Sequence, residues 1–317
     1  MPNKPLSSLT AARYGKAKVR VFRIVRQDKW HHIVEYNVEA LLEGDLESSY
    51  TEADNSVVRV FTSLIRVIRR YLAKISPYIL NPEKFALHLG TFFVSKYAHI
   101  HKAFVTIEQL RWARIPVEKG NLKEHPHAFY RDGDDKRVVK VEVDASKGKD
   151  KLVGRVSAGI SDLLVLKSTG SKFEGFIRDE YTTLVEVDDR IFSTSVDLEY
   201  TFSEIALKAP GDAGKLQFVA PEQEVPERAR RATLEVFAED ESASVQATLY
   251  KMAQRIIAEN VHIQTVTYTL PNKHYIPVDM KYIGVDNLTP YLSKAEVFTP
   301  VAAPSGLISA TISRKQG

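Results

Sequence analysis

The chain of 317 residues carries 44 Lys and Arg against 40 Asp and Glu, a formal net charge of +4, and 44% of it is hydrophobic. That is enough apolar material for one large or two medium cores, and the charge balance is too even for a nucleic-acid face. With no cysteine, disulfides, thiolate metal sites and a cysteine nucleophile are excluded, and apolar runs short enough to be broken by charge argue against a membrane span or a secretory leader, so a soluble intracellular protein is expected.

In chain order, Val19–Val25 and Ile33–Leu42 alternate apolar and polar residues and are rich in β-branched types, which predicts antiparallel strands. His31-His32, His99–His101 and His125–His127 follow, and two imidazoles at i and i+2 of a strand share one face. No third ligand stands at a recognisable spacing, so these histidines are read as core or surface groups rather than a metal site. Val138–Val143 is the next strand. Lys147–Ser157, rich in Lys, Gly and Ser between two strand-rich halves, is the linker candidate and divides the chain into 1–147 and 148–317.

The second half opens with a strand over Asp162–Leu166 and a turn over Ser168–Ser171. Phe173–Arg190 then combines an aromatic residue, arginines and strand-like threonines; by themselves a Phe here is a core residue and an Arg a solvated or paired one. Pro210–Val225 and Pro300–Gly306 carry Pro, Gly and charge without periodicity and read as surface loops. Val245, Leu249, Met252, Ile256 and Ile257 form one apolar stripe, so an amphipathic helix starts near Ser244. Its first free N–H groups and positive dipole end make an anion site at Val245-Gln246, where Gln246 either bonds a planar amide edge or faces water. After a strand over Thr265–Leu270, Pro271 ends the ladder and presents Asn272 and His274 in a turn, a place for structural or catalytic groups alike. Each half runs strands, helices, strands, which fits two similar α+β units with helices on one sheet face. A glycine-rich phosphate loop, G-x-S-x-G and H-E-x-x-H are all missing, so familiar nucleotide, hydrolase and zincin chemistries lack support.

Taken together, these segments resemble the urate oxidase family along nearly the whole chain. The resemblance rests on ARYGK at Ala12–Lys16, LLEGDLESSYTEADNS at Leu41–Ser56, HIH at His99–His101 and HPHAFYRD at His125–Asp132. It continues in VLKSTGSKFEGFIRDEYTTL at Val165–Leu184, DRIFST at Asp189–Thr194, FAEDESASVQATLYKMA at Phe237–Ala253, LPNKHY at Leu270–Tyr275 and AEVFTP at Ala295–Pro300. It implies an α+β fold of two tandem T-fold domains, antiparallel sheets with helices on one face, assembled as a homotetramer around a tunnel with active sites between subunits. It also implies oxidation of urate by molecular oxygen to 5-hydroxyisourate and hydrogen peroxide, with no cofactor and no metal.

Residue by residue, the resemblance implies that Phe173 stacks on the flat purine and Arg190 grips its anionic edge. Gln246 and the Val245 backbone N–H would hold the opposite edge and Leu184 would line the pocket. Asn272 would sit above the ring where oxygen or water binds, and Lys16, Thr62 and His274 would move protons. A peroxisomal address is implied as well, whereas the sequence stops at Arg314-Lys315-Gln316-Gly317 instead of a Ser-Lys-Leu signal, which leaves the cytoplasm as the other expectation.

One segment departs from the family's pattern. After YTEADNS the family runs through a strand into a Thr-Asp pair, but here the text is VVRVFTSLIRVIRRYLAK. Aligned without a gap the pair falls on Phe61 and Thr62, with one inserted residue on Thr62 and Ser63, and the Asp is missing either way. Val60, Leu64, Val67, Ile68 and Tyr71, with Arg59, Arg66, Arg69 and Arg70 between them, predict an amphipathic helix that Thr62 or Ser63 would cap. Thr62 then keeps the needed hydroxyl, or the chain is a urate- or purine-binding tetramer with weakened or lost turnover.

Overall fold

The computed structural model describes residues 6–119, 122–183, 185–215, 225–289 and 294–315, and of residues 59–62, 70, 71, 119 and 122 the backbone alone. Two compact units divide the chain, Met1–Ala158 with Phe202–Ala220, and Gly159–Thr201 with Pro221–Gly317.

The first unit is built on long antiparallel strands: β1 (Tyr14–Gln27), β2 (Trp30–Gly44), β3 (Ile100–Lys119) and β4 (Leu122–Asp144). Alternation decides which face is covered. Val34, Tyr36, Val38, Ala40 and Leu42 of β2 are buried, as are Ala103, Val105 and Ile107 of β3 and Val139, Val141 and Val143 of β4. Helix α4 (Pro82–Lys96) packs on that face, started by Asn81, whose side chain accepts the Lys84 N–H, and by Pro82 in its first turn. A Cβ on Gly90 would stand 2.7 Å from Val143 Cγ2, so glycine lets α4 approach β4 this closely. Glu83 of α4 is buried against Arg137 of β4 and accepts two hydrogen bonds from its terminal nitrogen.

Helix formation over the off-pattern segment is confirmed, in a longer run than its capping residues suggest. A short α1 (Glu47–Thr51) is followed by α2 (Arg59–Arg66), a π-helical stretch Val67–Leu72 and α3 (Ala73–Ile75). Leu64, Ile68, Leu72 and Ala73 are buried while Ile65, Arg66 and Arg69 face outward, so this run has one apolar face. Capping by Thr62 or Ser63 is corrected: the N-cap is Val58, with no side-chain cap, and both hydroxyl residues lie inside the helix. At the other end Arg23 of β1 donates to the free carbonyls of Ala73 and Lys74, and from within the run Arg69 donates to the Arg20 carbonyl of β1.

The Lys147–Ser157 linker is corrected too. Only its first part is a turn; β5 (Leu152–Lys167) begins inside it, and Leu152–Gly154 pair with the short β7 (Ile205–Leu207). The apolar alternation that starts at Leu152 outweighs the local glycine and lysine content. Of the Pro210–Val225 loop, Pro210–Lys215 forms a 3-10 turn, and residues 216–224 lie outside the described ones.

In the second unit β6 (Phe192–Phe202), β8 (Ile263–Pro277) and β10 (Leu307–Ser313) are neighbours in that order, and β9 (Phe298–Val301) pairs with the far end of β8. Helices α5 (Val225–Glu239) and α6 (Val245–Glu259) pack on each other, and α6 on β8 and β10. Val245, Leu249, Met252 and Ile256 are buried as the stripe predicts, each worth about 1.5–3 kcal/mol for a full Val, Leu, Ile or Met side chain. Arg314 locks the end of the fold by donating to the carbonyls of Ile257, Asn260 and Ile263. The expected α+β class with antiparallel sheets and helices on one face is what both units have. Among the described residues no helix is long and apolar enough to cross a membrane.

Candidate active site

A cavity of about 570 Å³ lies within the second unit, a size suited to a small organic ligand. Phe173, Arg190, Asn272 and His274 all line it, although the first two precede β6 and the last two lie on β8. Two pieces of local structure bring them there.

The first is the connection from β5 to β6. Gly170 takes a left-handed turn at φ 77°, after which the chain doubles back, and Phe173 and Val187 exchange backbone hydrogen bonds of 2.8 and 3.0 Å. Arg190 N–H donates to the Ser171 carbonyl at 2.9 Å, so the ends of this excursion are tied together. The Asp189 carboxylate accepts from the Thr169 hydroxyl at 2.6 Å and from the Gly170 N–H at 2.8 Å. The same turn is stitched to the chain ahead of α6: Lys172 N–H donates to Ser242 O at 2.9 Å and Ser242 N–H to Gly170 O at 3.0 Å.

The second is a change of partner along β8. Up to Pro271 the strand pairs with β10, and from His274 to Pro277 with β9. Pro271 has no N–H, the Asn272 N–H donates to Gly306 O at 2.8 Å, and the ladder reopens at the residues that line the cavity.

The electrostatics favour an anion. The Arg190 guanidinium carbon is 4.9 Å from the Phe173 ring centroid, and among the described residues no acceptor pairs with this cation. Burial draws its pKa below the ordinary value, the mark of a cation that has lost water without gaining a counter-charge. Beside it, burial opposes ionisation of Asp189, but the bonds from Thr169, Gly170, Ser171 and Arg190 outweigh it and hold the carboxyl below the usual range. Phe173 stacks on Phe176 with centroids 4.8 Å apart and ring planes 22° apart.

The remaining sequence-predicted residues stand elsewhere. Val245 and Gln246 open α6, whose N-cap Ser244 accepts the Ala247 N–H at 3.1 Å; Val245 is buried, Gln246 is exposed, and neither is among the lining residues of this cavity. Lys16 and Thr62 belong to the first unit. Lys16 sits half-buried just before a bulge in β1, its Nζ 5.6 Å from the Tyr14 ring centroid, and Gly15 must be glycine because a Cβ there would strike the Ala40 carbonyl. Thr62 lies in α2 with its side chain outside the description, and Leu184 lies outside the described residues altogether. Among the described residues no three His, Asp or Glu are grouped to hold a metal ion.

Sequence reasoning missed Ser168, Lys273, Tyr275, Glu296 and Phe298 as cavity residues and gave Asp189 no role. Only the position of Asp189 directly before Arg190 offered a signal. Ser168 enters from the turn directly after β5, and Lys273, Tyr275, Glu296 and Phe298 enter through β9 and the β8 partner change, which no local pattern announces.

Comparison with known proteins bears on this geometry. A family model described as Uricase matches residues 12–142 and 156–309. The uricase of Aspergillus flavus is 44% identical over 312 residues, covering 98% of each chain, and that of Schizosaccharomyces pombe 40% identical over 304 residues, covering 95% of this chain and 96% of the other. The crystal structure of uricase from Arthrobacter globiformis superposes with a TM-score of 0.81 at 32% identity, covering 99% of this chain and 97% of that one. With agreement of sequence and fold along nearly its full length, this chain belongs to the uricase family.

Proposed function

We propose that the protein is a urate oxidase that takes urate, molecular oxygen and one water to 5-hydroxyisourate and hydrogen peroxide without a cofactor. The carrying observation is the Arg190 guanidinium, half-buried against Phe173 and without a counter-ion among the described residues, in a cavity that Asn272 and His274 also line. A planar purine anion supplies both missing partners, a negative edge for the fork of donors and a flat face for the ring.

In this reading Phe173 and Arg190 bind urate. Gln246, the Val245 N–H and Leu184 complete its surroundings, by family resemblance. Asn272 faces the oxygen or water above the ring, and Lys16, Thr62 and His274 pass protons. Urate is electron-rich once deprotonated and itself gives electrons to oxygen, so the protein's part is to deprotonate, orient and shield it. The assembly proposed is a homotetramer in which subunit interfaces complete the sites. The same resemblance supports two tandem T-fold domains near 1–147 and 148–317 and a peroxisomal home.

The test is direct. Urate's ultraviolet absorbance falls in aerated buffer when the protein is added, with oxygen consumed in step; no fall beside an active relative overturns the activity. Tight binding of a non-oxidisable purine analogue without oxygen uptake would instead assign the protein as a purine binder whose turnover was lost with the Asp missing beside Thr62.

A further inference from the structure

We infer that Asp189 is a positioning residue for the substrate-binding pair Arg190 and Phe173, an inference that rests on the urate-binding role proposed above. The β5–β6 connection leaves the sheet at Ser168 and returns at Ile191, and Asp189 is where its two ends meet. One carboxylate oxygen takes the Thr169 hydroxyl at 2.6 Å; the other takes the Gly170 N–H at 2.8 Å and the Ser171 N–H at 3.5 Å. These three donors lie on the outgoing limb, and the acceptor lies on the returning limb, directly before Arg190. The Ser171 carbonyl then takes the Arg190 N–H, and two residues further out the Phe173–Val187 pair continues the same two-stranded tie.

Geometry fixes what each bond does. Gly170 needs a positive φ for the turn, and its N–H would have no strand partner there, so the Asp189 carboxylate both satisfies that donor and holds the turn's angle. Phe173 and Arg190 are 17 residues apart in sequence yet in contact, and no regular ladder spans that interval; the carboxylate closes the loop that sets their separation. Asp189 also lines the cavity.

A positioning role makes a particular kinetic prediction. Arg190 and Phe173 hold the substrate before and during reaction, so loosening them weakens binding more than the chemical step. Asp189→Ala is expected to raise the KM for urate about 10-fold or more while kcat falls less. Asp189→Asn keeps an acceptor for the Gly170 and Ser171 amides and is expected to recover most of that loss. Thr169→Val, which removes one donor and leaves the backbone bonds, gives an intermediate KM and guards against a variant that fails to fold. In parallel, amide hydrogen exchange over residues 168–191 speeds up in Asp189→Ala but not in Asp189→Asn.

An unchanged KM in Asp189→Ala, equal losses in kcat and KM that Asn does not recover, or unchanged exchange over 168–191 would each overturn the inference. If the unaltered protein leaves urate untouched, the proposed function falls, and the exchange comparison still decides whether Asp189 holds this loop.

Discussion

The Arg190 guanidinium and the Phe173 ring face each other at 4.9 Å because Phe173 pairs with Val187 while Arg190 pairs with Ser171, so two short backbone ties bring a charge and a plate to one cavity. A cation half-buried without an acceptor is costly for an isolated subunit and is useful where an anion is to be bound. Stability and function pull in opposite directions at this residue.

Arg190→Lys keeps the charge and loses the fork. Replacing two directed, charge-assisted bonds by one point charge is expected to cost about 1.5–3 kcal/mol, roughly a 10- to 100-fold loss in kcat/KM for urate. Steady-state kinetics at fixed ionic strength checks it, and equal activity in the Lys variant would mean the edge of the purine is held elsewhere.

Phe173→Leu keeps apolar bulk and removes the aromatic plate. Aromatic pairs contribute about 0.5–1.5 kcal/mol beyond area burial, so the dissociation constant of a purine analogue should rise roughly 3- to 10-fold by calorimetry. A change confined to kcat would contradict a stacking role.

The off-pattern helix can be tested without any substrate. Leu64 and Ile68 are both fully buried, so Leu64→Ala is expected to destabilise the protein by about 2–5 kcal/mol, read from the midpoint of urea unfolding. The outward Ile65→Ala should change it by well under half as much. Similar effects at the two positions would show that this run does not pack through the face described.

Ser244 caps α6 by accepting the Ala247 N–H, immediately ahead of the proposed Val245 and Gln246 contacts. Ser244→Ala should cost about 1 kcal/mol of stability, and Ser244→Asp should recover it. Thermal unfolding of the three proteins side by side measures this.

Asp240 gives the acid limb a definite sign. Burial opposes its ionisation, but bonds from Lys251 and Thr248 and the charges of Lys251 and Lys167 prevail, so its folded pKa lies below the ordinary value. A depressed carboxylate pKa adds stability that is fully present above the unfolded value, about 3.9, and is lost as pH falls through the folded one. Asp240→Asn should therefore lower unfolding free energy by a constant amount near neutral pH, with the difference shrinking below about pH 4. A difference that grows on acidification would refute the assignment.

Periodicity marked the strands and the α6 stripe because both depend on residues two to four positions apart, and a face that must meet a core writes itself into that spacing. The same logic gave a helix after Ser56 where the family's pattern broke. Local composition misled at Lys147–Ser157, where ladder pairing of Leu152–Gly154 with β7 overrode glycine and lysine content, and at Thr62 and Ser63, where the helix already starts at Arg59 and holds both residues inside it. Sequence by itself determined the elements, the family and the identity of Phe173, Arg190, Asn272 and His274 as candidates. That these four share a cavity, that Asp189 ties the loop carrying two of them, and that Arg190 has no counter-ion among the described residues were decided by tertiary structure, since long-range pairing and burial are properties of the whole packed unit and leave no local signature in the chain.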